Sequence, residues 1–181
     1  GTLTNTKWCT SNGSVVTCTT NAPVTNTTGV LPIEILVADS TAPPASSIMG
    51  NTPTADFADD ADDVAYFTLR VPDDVDTSQP VTLKLNYVMS TGHTGSVVMA
   101  MAYEVVADDG DATPAAFTAT KSDTIDPPDT AELLDVFSGT NLKIDAGDLG
   151  GAGRNITCKF YRDADQAGDT HTRVRIAGLI G

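Results

Sequence analysis

RNITCKFYRDADQAGDTHTRVRIAGLIG, residues 154–181, decides the fold. Ile156, Cys158 and Phe160 alternate with Thr157, Lys159 and Tyr161. After the acidic stretch Arg162–Thr170, Val174 and Ile176 alternate with Arg173 and Arg175. Side chains on a strand point to opposite faces in turn, so this period of two marks two strands, each with one buried face. The Gly/Asp-rich stretch between them predicts an antiparallel hairpin.

The same signature recurs upstream. In Val81–Met89, residues Val81, Leu83, Leu85, Tyr87 and Met89 share one parity, and Thr82, Lys84, Asn86 and Val88 the other. One face is core and the other mostly solvent. In Val64–Val71, residues Ala65, Phe67, Leu69 and Val71 line one face. Leu83, Leu85, Phe67, Leu69, Phe160 and Ile176 are expected to share one core. Val97–Ala107 is apolar on both parities, as a central strand or a helix would be; Gly92 and Gly95 before it and Asp108–Asp111 after it favour a strand. Thr113–Thr120 reads as a short edge strand, and Asp126–Asp129 (DPPD) as a break. Leu133–Phe137 is ambiguous, since Ala131–Leu134 can open a short helix, and Asn141–Ile144 leans to strand. Leu31–Val37 reads as a strand and Ala38–Asp63, with Pro43, Pro44, Pro53 and Gly50-Asn51, as a long connection. About eight short strands without a long helical pattern predict an all-β antiparallel sandwich, of the jelly-roll kind, over residues 31–181.

Residues 1–30 differ. They hold ten Thr and four Asn, and Lys7 is their only charged side chain. Too little apolar surface is present for a separate core. The segment reads either as a flexible N-terminus or as an extended arm that orders on a neighbouring subunit's sheet edge, with Trp8, Val15 and Val16 as its interface residues. Asn12-Gly13 is a strong hairpin-turn signal. A hairpin there sets Cys9 against Cys18, a candidate disulfide. Cys158, inward on an amphipathic strand, is expected free, buried and inert.

Charge bounds the partners. Ten basic and 24 acidic side chains give −14, which repels phosphate backbones and anionic lipid and argues against nucleic-acid and membrane-surface roles. No apolar run approaches the ~18 residues of a membrane helix. A chain beginning at Gly1 can have lost a signal peptide, so the absence of one decides nothing.

Catalytic signals are weak. The histidines are His93, in a Gly-rich turn, and His171, before the last strand; no GxSxG elbow, P-loop or dinucleotide glycine pattern accompanies them. Two histidines and a turn cysteine do not make a zinc constellation. The acids that are Glu or fall in expected strands are Glu34, Glu104, Glu132 and Asp135, and the many Asp residues read as solvating turn-formers. Asp163, Asp165 and Asp169, with Gly168, resemble the start of a calcium loop, but Ala167 and Val174 occupy positions where ligands belong. The run Asp59–Asp63 is a second acidic cluster of the same standing. No other cofactor is expected, and the chain reads as a non-enzyme.

Val64–Asp74 (VAYFTLRVPDD), Val81–Tyr87 (VTLKLNY) and the FYRDADQAGDT turn at Phe160–Thr170 together resemble a β-sandwich module of tailed-bacteriophage virion proteins. The likeness covers roughly Val64–Ala177. It implies a structural role on a head, tail or fibre and assigns no catalytic residue. With the acidity, it leads to the expectation of a capsid decoration or cement protein on the outer virion surface. Such a protein would bind the major capsid protein or other virion subunits, as a homo-oligomer and most simply a trimer. The alternatives are a secreted filament subunit joined by strand donation and a carbohydrate-binding or adhesion module. Aromatics at 6% give the last a thin platform.

Overall fold

A computed structural model describes residues 7–11, 16–21, 36–60, 62–72, 77–89, 95–106, 117, 119–126, 130, 133–151 and 153–180. The strands are β1 (Lys7–Ser11), β2 (Val16–Asn21), β3 (Leu36–Ala38), β4 (Ala45–Met49), β5 (Thr52–Ala58) and β6 (Val64–Arg70). They continue as β7 (Val81–Met89), β8 (Val97–Val106), β9 (Ala119–Ile125), β10 (Asp135–Ile144), β11 (Asn155–Arg162) and β12 (Arg173–Ile180). One 3-10 turn, Ala146–Asp148, follows β10. The chain is an all-β antiparallel sandwich. One sheet runs β10-β7-β12-β5-β4, the other β3-β6-β11-β8-β9, and β1-β2 form a separate two-stranded sheet.

The pairing explains the winding. β8 pairs with β9, β7 with β10, β6 with β11 and β5 with β12. These are the rungs of one long antiparallel ribbon, folded so that successive rungs land in opposite sheets. The β12–β7 and β11–β8 ladders then seal the roll. This is jelly-roll topology, with β3 and β4 added at one edge of each sheet.

All six expected core residues are buried in one cluster. Phe160 meets Phe57 edge-on across the sheets (5.8 Å between centroids, 80° between planes) and Phe67 beside it (6.5 Å, 60°). Val97–Tyr103 are buried on both parities, and β8 is the central strand expected. Cys158 is free and fully buried, and burial pushes its thiol up to about 12.

Four expectations change. The strands of residues 154–181 do not form a hairpin: β11 pairs with β6 and β8, β12 with β5 and β7. Ten residues separate them, enough to cross from sheet to sheet, and each strand gains two neighbours by doing so. The connection Ala38–Asp63 contains a hairpin, β4–β5, turning at Gly50 (φ 59°) and Asn51 between Met49 and Thr52. Pro53 is tolerated because the β12 ladder reaches only Ala55–Ala58 of β5. Of the edge strand placed at Thr113–Thr120, residues 113–116 and 118 lie outside the described residues; a strand not foreseen, Ala119–Ile125, runs through the polar Lys121-Ser122-Asp123. Val88, on the outward parity of β7, is fully buried opposite Arg175, since β7 is flanked on both sides. Of the strand at Leu31–Val37, only Leu36 and Val37 lie within the described residues.

Candidate functional site

The corner between β11 and β12 is built around a buried ion pair. Counting by twos along β11 from Ile156 puts Arg162 on the inner face, and it is fully buried. Its Nε donates to Asp169 Oδ2 at 2.9 Å and its Nη2 to Asp169 Oδ1, a bidentate pair. Nη1 donates to the Phe57 carbonyl at 3.1 Å, and Nη2 also donates to the His171 carbonyl. Asp169 Oδ2 further accepts the Val98 N–H at 2.9 Å. One guanidinium therefore joins β11, β5 of the opposite sheet and the approach to β12. The loop itself lies along the start of β8: Asp163 N–H donates to Val98 O at 2.9 Å and Thr170 N–H to Ser96 O at 2.8 Å. Gly95 (φ 78°) is required here, because a Cβ would stand 2.7 Å from the Thr170 backbone.

The acidic loops are likewise committed to structure. Asp62 accepts the Ala164 N–H at 3.0 Å and Asp63 the Ala58 N–H at 2.7 Å. Burial raises the Asp63 carboxyl above its ordinary value, against that hydrogen bond. Of the calcium candidates, Asp169 is turned inward onto Arg162, whereas Asp165 is exposed. Among the described residues no group of three His, Cys, Asp or Glu side chains is placed to hold a metal ion. His171 is buried beside the Arg162 clamp, and His93 lies outside the described residues.

The two lateral edges of the sandwich differ. At the β9/β10 edge, Asp123 Oδ2 on β9 accepts the Asn141 N–H of β10 at 3.0 Å, and Lys121 pairs with Asp145 at 2.6 Å. The Tyr87 hydroxyl donates to Asp126 O (3.3 Å) and Asp135 Oδ2 (3.2 Å), tying the end of β9 to the start of β10. Desolvation, then the Asp135 charge, pushes Tyr87 up to about 12. At the other edge, β4 (ASSIM) and β3 (LVA) carry no charge, and Ile48 (73%) and Val37 (54%) are exposed. A regular, uncharged edge strand with an exposed Ile is a surface that can accept another strand. This edge is the candidate interaction site.

The arm's predicted pairing is partly visible. β1 and β2 are antiparallel, with Cys9 across from Cys18, Trp8 across from Thr20 and Val16 across from Ser11. The Asn12-Gly13 turn and Val15 lie outside the described residues. An outer-face cluster escaped the sequence reading: Phe117 stacks on Tyr66 (6.2 Å, 27°), and Lys159 sits 5.0 Å from the Tyr161 ring centroid. Asp56 and Asp123 were missed as strand acids because their strands were missed. Asp56 is buried on β5 beside Arg175 (3.4 Å) and Arg173 (3.6 Å).

No family model matches the chain, and a search of curated proteins finds no match.

Proposed function

We propose that this chain is a non-enzymatic structural subunit, and that it serves as a decoration or cement protein on the outer surface of a virus head. One observation carries the reading: the contrast between an edge closed by Asp123, Lys121 and Tyr87 and an edge left uncharged at β4. A protein that works by docking needs one adhesive border on an otherwise repulsive surface, and −14 supplies the repulsion. The jelly roll gives a rigid body for the purpose. The polar groups at its corner are spent on internal hydrogen bonds rather than gathered at a cleft.

The test is binding to particles. Purified chain is mixed with heads stripped of their accessory proteins and sedimented, and native particles are analysed by mass spectrometry. Stoichiometric co-sedimentation and recovery of the chain from native particles are expected. Absence from both would refute the role.

A second reading, a carbohydrate-binding module, has Tyr66, Phe117 and Tyr161 on one outer face in its favour. Phe117 and Lys159 already occupy one face of the Tyr66 and Tyr161 rings, which narrows the platform a sugar would need. A glycan array separates the two readings.

A further inference from the structure

We infer that the β4 edge receives the β1–β2 hairpin of a second copy of this chain, so that subunits are linked by exchanged arms. The inference rests on the assembly role proposed above and names its partner and its contact.

Three observations converge on this pairing. First, among the described residues β1–β2 is joined to neither sheet of its own chain. A lone two-stranded hairpin is marginal in water and gains by adding to a sheet. Second, charge selects the edge. Of the four strands that border the sandwich, β9 carries Lys121 and Asp123 and β10 carries Asp135 and Lys143, while β3 and β4 carry none. Among the described residues β3 spans three, and β4 offers five in an unbroken ladder. The arm brings a single charge, Lys7, so hairpin and edge approach without the repulsion that separates most other surfaces of two such acidic chains. Third, length permits exchange. Residues 22–35 link the hairpin to β3, and fourteen residues span up to about 50 Å.

The arm's single charge is compatible with an antiparallel addition of β2. In the β4–β5 ladder Ala45 lies opposite Asp56, and the exposed Asp59 and Asp60 follow just beyond. If β2 adds antiparallel to β4, Asn21 comes to the Ala45 end. Lys7, the cross-strand partner of Asn21, then lies at that same end. The exposed Ile48 is covered by the incoming strand.

The test uses full-length chains and light scattering, with melting curves as a control. The wild type is expected to form multimers in the absence of any particle. Ile48→Lys, at an exposed position, is expected to melt as the wild type does and to run as a monomer. A Thr10→Pro/Thr19→Pro chain, with both arm strands broken, is expected to do the same. An equimolar mixture of the two variants restores association, because the first donates an intact arm and the second an intact edge. A monomeric wild type overturns the inference, as does an Ile48→Lys chain that stays multimeric. A mixture that stays monomeric while the wild type associates overturns it too, and so does a Thr10→Pro/Thr19→Pro chain that stays multimeric, which points to β4–β4 pairing. Particle binding is scored separately. A chain that exchanges arms but ignores head lattices removes the cement role and leaves the exchange standing.

Discussion

At the residue scale, Arg162 and Asp169 hold the corner that makes the fold. Both side chains are essentially buried. Removing one partner leaves the other charge without compensation in the interior. Arg162→Met is therefore expected to cost about 3–5 kcal/mol, and Asp169→Asn a comparable amount. The double variant is expected to cost clearly less than the sum of the two, because it buries no orphan charge. Urea denaturation of the four chains gives this cycle. Arg162 was within reach of the sequence: one more step of the alternation in Ile156, Cys158 and Phe160 places it on the inner face. Polarity concealed it, since arginine beside aspartate reads as the start of a solvated turn. The tyrosines give a second residue-scale test. Burial raises all four, Tyr66, Tyr87, Tyr103 and Tyr161, above the ordinary 10.0, with Asp135 adding to the effect at Tyr87 and a hydrogen bond to Asp148 adding at Tyr103. A raised pKa favours the protonated hydroxyl in the folded state. That stabilisation is whole below the unfolded value near 10 and is lost as pH rises through the folded values. Absorbance at 295 nm should show less tyrosinate at pH 10 than four free tyrosines give, with Tyr87 and Tyr103 the last to ionise. Four tyrosines titrating normally in a folded chain would contradict the burial described.

At the element scale, legibility followed chemistry. β6, β7 and β8 were evident because Phe67, Leu69, Leu83, Leu85 and the run Val97–Tyr103 carry strong apolar patterns that burial then used. β4 and β9 were not, since ASSIM and ATKSDTI lie at sheet borders where only one ladder and half a face select the sequence. β5 was hidden by Pro53 and Asp56, each acceptable for a reason seen only in three dimensions. The candidate site shares this fate: an adhesive edge is defined by what it lacks, and the absence of charge in five residues is no signal until their place is known. Two substitutions on neighbouring residues of β7 test the parity. Leu85→Asp places a charge in the core and is expected to unfold the domain, a loss of several kcal/mol, order of magnitude. Lys84→Asp, on the exposed side, should leave the melting curve nearly unchanged. Gly95→Ala should cost at least ~1 kcal/mol through the strained φ alone, and more through the collision with Thr170.

At the scale of the whole molecule, the rolled ribbon decides what is dispensable. β5 must find β12 and β6 must find β11 across roughly a hundred residues, so the sandwich is held by pairs distant in sequence, with the C-terminal strand β12 inside one sheet. The buried cluster runs from Phe57 to Ile176, and the hydrophobics packed against it begin at Ala55. Among the described residues, β1 and β2 pair only with each other and join neither sheet of the sandwich. Deleting residues 1–30 is therefore expected to shift the melting temperature by no more than about 2–4 °C, the equivalent of ~1 kcal/mol in a domain of this size. Differential scanning calorimetry on the full and truncated chains measures it, under dilute conditions where arm exchange does not contribute. A small shift together with lost association fits an arm that serves a neighbour. A truncated chain that fails to fold would mean that the Thr-rich segment belongs to its own sandwich. The arm would then not be available for exchange, and the β4 edge would need a different occupant.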